Sequence, residues 1–120
     1  MTMICRIEKI QLEKTEHKDI LIIPYRDYYI LVNIKEIIYL QADRQYTKIV
    51  TDKKSYVLSR NLKWITEKLP DYFLRIHHSF HVNLMHGSSI TRESTFLLKN
   101  NLELPISRRR KKDVIQRYTE

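Results

Sequence analysis

From Ile20 onward the chain alternates short apolar, β-branched or aromatic runs with short polar segments. This pattern is typical of strands in an antiparallel β protein, because successive side chains of a strand point to opposite faces. Polar segments such as Asp52-Lys53-Lys54 and Asn100-Asn101 suit hairpin turns, since Asn and Asp tolerate left-handed backbone conformations. We predict strands near residues 20–24, 28–33, 36–41, 46–51, 55–59, 73–76, 80–83, 88–91, 95–98 and 102–106.

Two segments have helical spacing instead. The first covers residues 59–69, where Ser59 can cap the start and Pro70 ends the helix. Its apolar positions are Leu62, Ile65 and Leu69. The second runs from about residue 108 to 118, with Ser107 as its cap. Its short apolar stripe consists of Val114, Ile115 and Tyr118.

The length of 120 residues suits one domain with a single core. Residues 1–19 are charged and weakly periodic, so we interpret them as an N-terminal extension before a domain over residues 20–120. Cys5 has no partner for a disulfide, and the longest aliphatic run, residues 20–23, is too short to cross a bilayer. No signal peptide is recognisable, so we expect a cytoplasmic protein without a membrane partner.

Catalytic motifs are missing from the sequence. Gly87 is the single glycine, which excludes both the P-loop and the dinucleotide-binding fingerprint. No serine lies in a glycine-flanked elbow, and Cys5 is far in sequence from the histidines. We therefore predict that the chain is not an enzyme, has no catalytic residues and needs no cofactor.

The formal charge of +8 argues for an anionic partner, which could be nucleic acid, an acidic protein or an anionic membrane surface. Residues 60–120 contain 12 Lys and Arg against 6 Asp and Glu. Five consecutive cations, residues 108–112, fall at the predicted start of the second helix. Each costs about 0.3 to 1 kcal/mol beside the positive end of the helix dipole. A bound phosphate would reverse that cost, although a merely solvated basic run is the alternative.

A second candidate segment is residues 75–83. Strand alternation places four apolar residues on one face: Leu74, Ile76, Phe80 and Val82. His78 falls on the same face, so either a bend turns it outward or it is buried with a polar partner. We favour the bend, which would present His77, His78 and Ser79 to phosphates and base edges.

The same region raises the possibility of a metal site, because four histidines occur within ten residues: His77, His78, His81 and His86. In a strand His77 and His81 would lie roughly 13 Å apart, and His78 would point to the opposite face. We therefore expect no metal ion.

A third segment, residues 42–48, mixes cations with Tyr46 and Thr47 and could follow a DNA groove, but alone it would suit an ordinary polar connection equally well.

These three segments, in this order and spacing, resemble the LytTR DNA-binding domain of bacterial transcriptional regulators over about residues 20–118. The resemblance is carried by Ile37-Ile38-Tyr39-Leu40-Gln41-Ala42-Asp43 leading to Tyr46-Thr47, by residues 62–70 followed by Phe73, by Arg75-Ile76-His77-His78-Ser79 with Val82-Asn83, and by Leu104-Pro105-Ile106-Ser107-Arg108-Arg109. It implies a mostly β, elongated fold of about ten strands in three small antiparallel sheets, with one or two short helices.

The resemblance also implies partners. Such proteins bind double-stranded DNA at paired direct repeats, with loops in successive major grooves, which suits a second copy on an adjacent half-site. Many are response regulators of two-component systems. Too few residues precede Ile20 for a receiver domain, so we expect a free-standing regulator or part of a longer one, with any receiver domain or sensor partner outside this chain.

By the same resemblance, bases would be read from the loop of residues 44–48, from His78 and from Arg108, while Asn83 would support a loop. Phosphates would be held by Tyr46, His77, Ser79, Arg109 and Lys111. The full set of expected DNA-binding residues is Arg44, Tyr46, Thr47, Lys48, His77, His78, Ser79, Asn83, Arg108, Arg109 and Lys111.

This sequence departs from the family pattern at two positions. Gln41 stands where Glu is usual, and His78 stands where Arg or Asn is common. We expect the imidazole to give weaker, pH-sensitive base recognition than a guanidinium would. Three other functions stay open: a basic RNA-binding module, a protein-interaction domain with an acidic partner, and, least favoured, a metal-dependent hydrolase.

Overall fold

Ten strands and two α-helices form within residues 19–119, which are the residues that this computed structural model describes. The strands are β1 (Ile20–Tyr25), β2 (Tyr28–Asn33), β3 (Ile37–Asp43), β4 (Tyr46–Thr51), β5 (Ser55–Leu58), β6 (Phe73–His77), β7 (Phe80–Asn83), β8 (Gly87–Ile90), β9 (Thr95–Leu98) and β10 (Glu103–Pro105). The helices are α1 (Leu62–Thr66) and α2 (Arg108–Thr119). All the predicted strands are confirmed with small shifts at their ends. Apart from Asp19, the predicted extension lies outside the described residues.

The strands form three antiparallel sheets, as expected. β1 and β2 make a two-stranded hairpin, a central five-stranded sheet has the order β5-β4-β3-β7-β6, and a third sheet has the order β10-β9-β8. The molecule measures 54 × 32 × 24 Å, so the elongated shape is confirmed. Neither α-helix in the described part of the chain is long and apolar enough to span a membrane.

The central sheet separates two apolar clusters, one on each face. The first, which we call the hairpin core, packs the β1–β2 hairpin and α1 against the sheet. Its buried residues are Leu21, Ile23, Val32, Ile34, Ile37, Leu40, Ile49, Leu58, Leu62, Ile65 and Phe73. The second, the helix core, packs the third sheet and α2 against the other face. Its buried residues are Ile38, Ile76, Val82, Leu84, Phe96, Leu98, Leu104, Ile106 and Val114.

An irregularity in β3 lets this strand contribute to both cores. Ile37 and Leu40 both lie in the hairpin core, although strict alternation would place them on opposite faces. The pairing of β3 with β4 shifts register between Ile37 and Tyr39, and this bulge changes the alternation. Ile38 consequently joins the helix core. Sequence alternation alone would not predict this change of face.

Both predicted helix caps need correction. α1 begins at Leu62 rather than near Ser59, and Asn61 is its cap, since Asn61 Oδ1 accepts from Trp64 N at 2.8 Å. Residue 60 lies before the helix, and its carbonyl accepts from Thr47 Oγ1 at 2.8 Å. α2 starts at Arg108 as expected, but the Ser107 hydroxyl is buried and has no partner within the described residues. Instead the Ser107 carbonyl accepts from Arg110 N at 3.1 Å.

Candidate DNA-binding surface

Two backbone hydrogen bonds bring the three candidate segments together. Ala42 N donates to Ser79 O at 2.8 Å, which joins the end of β3 to the β6–β7 turn. Ser107 N donates to Ile76 O at 2.8 Å, which joins the residue before α2 to the end of β6. The β3–β4 turn, the β6–β7 turn and the first turn of α2 are therefore neighbours. We call the surface that they form the basic surface.

The β3–β4 turn contributes exposed side chains at its tip. Asp43 pairs with Tyr46 in the strand register, so the turn consists of Arg44 and Gln45. Arg44 has a φ of 61°, which a residue with a Cβ rarely adopts. Arg44, Tyr46 and Lys48 are all exposed, and Tyr46 retains 48% of its surface. All three expected contact residues are thus accessible from solvent.

Thr47 does not share this accessibility. It is wholly buried, because in β4 it points to the same face as Ile49 and Thr51. Its Oγ1 donates to the carbonyl of Arg60 at 2.8 Å. The expectation that Thr47 contacts DNA is wrong, and the residue instead fixes the connection between β5 and α1 beside the β3–β4 turn.

The β6–β7 turn is held by an arginine that belongs to the strand before it. Arg75 donates from Nε to His77 O at 3.2 Å and from Nη2 to His78 O. Ser79 N donates to His77 Nδ1 at 3.1 Å, which closes the turn. His78 is exposed, so the expected bend is confirmed and the alternative of a buried His78 is wrong.

The geometry of the histidines also differs from the expectation in one respect. The rings of His77 and His78 lie on the same side, with centroids 4.3 Å apart, because the turn ends the strand alternation between them. Since His77 Nδ1 accepts a hydrogen bond, the neutral ring has its proton on Nε2 and can donate from there. Among residues 19–119, no group of three His, Cys, Asp or Glu side chains could hold a metal ion.

Cations crowd at the junction of the β6–β7 turn with α2. Burial and the nearby Arg110 lower the pKa of Arg75. The pKa of His77 is lowered by burial, and further by His78, Arg110 and Arg75. The ion pairs found in the described part of the chain, Lys35–Asp19 and Lys53–Glu36, lie elsewhere. An anion bound here would relieve this mutual repulsion.

The first turn of α2 presents its cations in different directions. Arg108 and Arg109 are exposed. Lys111 Nζ donates to the carbonyl of Arg92 at 2.6 Å, which places its ammonium beside the β8–β9 turn. The helix itself is anchored by Val114, which is wholly buried, and by the Tyr118 hydroxyl, which donates to Leu84 O at 2.5 Å.

Asn83, which was expected among the DNA-binding residues as the support of a loop, lies below the surface. It is wholly buried. Its Nδ2 donates to Ile37 O at 3.0 Å, and its Oδ1 accepts from Met85 N at 2.9 Å. Asn83 therefore ties β7 to β3 and begins the 3₁₀ turn Leu84–His86. The side chain has no exposed surface for a direct DNA contact, and the segment that it supports lies away from the β6–β7 turn.

Comparison with known proteins decides the family. The family described as the LytTr DNA-binding domain matches residues 27–119. This chain belongs to the LytTR family. The family is described as a DNA-binding domain.

Several named proteins are similar to this LytTR domain. The sensory transduction protein LytT of Bacillus subtilis is 34% identical over 84 residues, covering 66% of this chain and 35% of the relative. The transcriptional regulatory protein YpdB of Escherichia coli K12 is 33% identical over 93 residues, covering 72% of this chain and 38% of the relative. The chain thus spans little more than a third of these relatives' length.

A solved structure has the same fold. The LytTr DNA-binding domain of a response regulator from Bacillus cereus superposes with a TM-score of 0.64 and 26% identity. The alignment covers 83% of this chain and 93% of that one. The ten-stranded architecture of this LytTR domain is therefore shared with an experimentally determined member of the family.

Sequence reasoning missed several residues of this LytTR domain that shape the surface. Arg75 and Arg110 lie inside the segments we selected, yet neither was expected to matter individually. His81 pairs directly with Arg75 across β6 and β7, and its ring stacks on Phe73 with centroids 6.2 Å apart. Burial, followed by Arg75 and Arg110, lowers the pKa of His81 to about 4. Antiparallel pairing of residues 73–77 with residues 80–83 would have indicated the Arg75–His81 neighbourhood.

Proposed function

We propose that this LytTR domain binds specific double-stranded DNA sequences and regulates transcription. The observation that carries the proposal is the basic surface, where three separate segments meet and cations lie together without carboxylate partners among the described ion pairs. Such an arrangement costs folding free energy and is favourable only when an anion binds. A polyanion contacted at several points is the ligand that this surface fits best.

The accessible side chains suggest a division of roles. Arg44, His78 and Arg108 project from the tips of the three segments, where they would reach base edges in the major groove. Phosphates would be held by Tyr46, Lys48, His77, Ser79, Arg109 and Lys111. His77 is suited to this role, because its Nε2–H is a donor even when the ring is neutral.

The shape of the domain supports contacts with more than one groove. Its long dimension is 54 Å, whereas major grooves on one side of B-DNA recur about every 34 Å. Direct repeats bound by two copies side by side are part of the proposal. The proposal also includes a receiver domain or sensor partner outside this chain, since similar proteins are named for sensory transduction and as response regulators. Action in the cytoplasm follows from the same hypothesis.

The test is selection from a random duplex DNA pool at near-physiological salt, followed by sequencing of the retained molecules. We expect enrichment of paired short repeats spaced about one helical turn apart. No enrichment would contradict sequence-specific binding and would favour RNA or an acidic protein as the partner.

A pair of neighbouring variants separates base reading from phosphate binding. Arg108→Ala should cost about 1 to 3 kcal/mol of binding free energy and relax discrimination at one base pair. Arg109→Ala should weaken all sequences alike and reduce the salt slope by about one unit. Both residues are exposed, so neither change should affect folding. Equal loss on all sequences for Arg108→Ala would reassign that residue to a phosphate.

A further inference from the structure

A cleft opens beside the β3–β4 turn. It has a volume of about 600 Å³ and lies between the turn and the start of α1. Its lining includes Arg44, Tyr46, Arg60, Asn61 and Trp64. Only the first two of these were expected to contact DNA. The others belong to the connection that follows β5.

The residues on the α1 side of the cleft are held in place. Thr47 Oγ1 bonds to the Arg60 carbonyl at 2.8 Å, and Asn61 Oδ1 accepts from Trp64 N at 2.8 Å. The Arg60 guanidinium lies over the indole of Trp64, 4.9 Å from the ring centroid. This cation–π contact restricts the rotation of the guanidinium without using its N–H donors in hydrogen bonds.

The chemistry of the lining favours an anion. Two arginines face the cleft together with a phenol, a serine hydroxyl and two side-chain amides, and its lining contains no carboxylate. The amide oxygen of Asn61 is occupied by Trp64 N, which leaves its NH₂ group as a donor. Guanidinium forks match the oxygens of a phosphate in a planar, bidentate geometry. The cleft also continues the basic surface through Arg44 and Tyr46.

We propose that this cleft binds a backbone phosphate of the DNA, with Arg60 as its principal contact. The inference rests on the proposed function, because the phosphate belongs to the same duplex that the basic surface reads. It extends the footprint past the β3–β4 turn by a contact that carries no sequence information.

The chain offers a matched pair of variants for the test. Lys68 also lies over Trp64, with Nζ 4.3 Å from the ring centroid, but it does not line the cleft. Arg60→Ala and Lys68→Ala therefore remove the same charge and the same type of cation–π contact. Affinity is measured by titration with the selected duplex and with a random duplex at several salt concentrations.

We expect Arg60→Ala to weaken both duplexes by the same factor, on the order of tenfold, as for loss of a hydrogen bond to a charged group. Its salt slope should fall by about one unit, whereas Lys68→Ala should leave the slope unchanged. Ethylation of the phosphate that Arg60 contacts should weaken binding by the wild-type protein. The same ethylation should have no effect on binding by Arg60→Ala. Arg60→Lys, which keeps the charge but lacks the fork, should lie between the wild type and Arg60→Ala, and it replaces Arg60→Ala if thermal unfolding shows the latter to be misfolded.

Equal effects of Arg60→Ala and Lys68→Ala would show that only net charge matters and would overturn the cleft as a site. A loss confined to the selected duplex would make Arg60 a base contact and would likewise overturn it. Absence of duplex binding by the wild-type protein is a different result, since it contradicts the proposed function itself.

Discussion

The two turns at the centre of the basic surface are neighbours but are held in different ways. The β6–β7 turn is fixed by side chains, through two hydrogen bonds from Arg75 and one to the His77 ring. The β3–β4 turn is fixed by backbone pairing between Asp43 and Tyr46, with Arg44 at a φ of 61°. One turn depends on a partly buried cation, and the other depends on a strained residue.

This difference separates two ways to preorganise a binding loop. Side-chain hydrogen bonds hold the β6–β7 turn before DNA arrives, which reduces the entropy lost on binding. In the β3–β4 turn the residue expected to read a base is also the residue in the unfavourable conformation, a combination that occurs at functional sites. Changes to the first turn should therefore lower stability and recognition together, whereas changes to the second should move them in opposite directions.

The largest expected effect is the response of the β6–β7 region to acid. The pKa of His81 is about 4 in the folded protein, below the ordinary value of 6.5, because of burial and then Arg75 and Arg110. As pH falls below 6.5 the unfolded chain takes up a proton that the folded protein does not. The free energy of unfolding should fall by up to about 3 kcal/mol between pH 6.5 and pH 4.

Denaturant unfolding at half-unit pH steps measures this loss. The variant His81→Phe, which keeps an aromatic ring beside Phe73, should show a flatter profile over the same range. An identical slope in the two proteins would mean that other groups cause the acid response.

Loss of the arginine that holds the turn should have the next largest effect. Arg75→Gln removes two hydrogen bonds from a charged donor and should cost about 2 kcal/mol of unfolding free energy. Discrimination at the base that we propose His78 reads should be lost as well. In a double-mutant cycle, Arg75→Gln should add nothing to that loss when His78→Ala is already present.

Arg117→Gln is the matched control for this experiment. It makes the same charge change and removes an arginine bond to a backbone carbonyl, that of Asp71. The Arg117→Gln protein should discriminate between bases as well as the wild-type protein does. If it loses discrimination as Arg75→Gln does, the effect of Arg75 is not specific to the β6–β7 turn.

Beside the other turn, Thr47→Val should cost about 1 kcal/mol of unfolding free energy. The change keeps the shape of the side chain but leaves the Arg60 carbonyl without its donor. Thr66→Val removes a similar hydroxyl-to-carbonyl bond at an exposed position and should cost much less. Thermal unfolding of the two variants compares them directly, and equal losses would contradict a special role for Thr47.

The smallest effect has the opposite sign. Arg44→Gly relieves the left-handed conformation and should raise the free energy of unfolding by about 0.5 kcal/mol, after allowing for the greater freedom of glycine in the unfolded chain. DNA affinity should nevertheless fall. Arg26→Gly, in the β1–β2 turn at a φ of 57°, should stabilise by a similar amount and leave DNA affinity unchanged. Parallel losses of affinity in both variants would refute the contrast between the turns.

Much of this structure could be predicted from local sequence pattern. Alternation located the strands, and the conflict between His78 and its apolar neighbours indicated the outward bend. The burial of Thr47 was also readable, since Thr47 alternates with Ile49 and Thr51, but treating residues 42–48 as one loop concealed it. The bulge at Ile37–Tyr39 could not be predicted from local pattern, because it depends on how β3 pairs with β4.

The position of Arg60 could not be predicted for a related reason. Its carbonyl accepts from a residue 13 positions earlier, and its guanidinium packs on Trp64 of α1. The Asn61 cap is a local contact instead, since Asn61 Oδ1 accepts from Trp64 N, and Asn is a preferred cap residue. Residues whose role depends on tertiary pairing therefore account for most of what the sequence left undetermined.

The placement of Trp64 has an optical consequence. It is the single tryptophan of the chain, and it lies between Arg60 and Lys68 at the edge of the cleft. Fluorescence excited selectively in tryptophan therefore comes from one known place in the fold. The domain therefore has a built-in spectroscopic reporter, and a change in emission on mixing with a ligand reports a change in the surroundings of Trp64 without an attached dye.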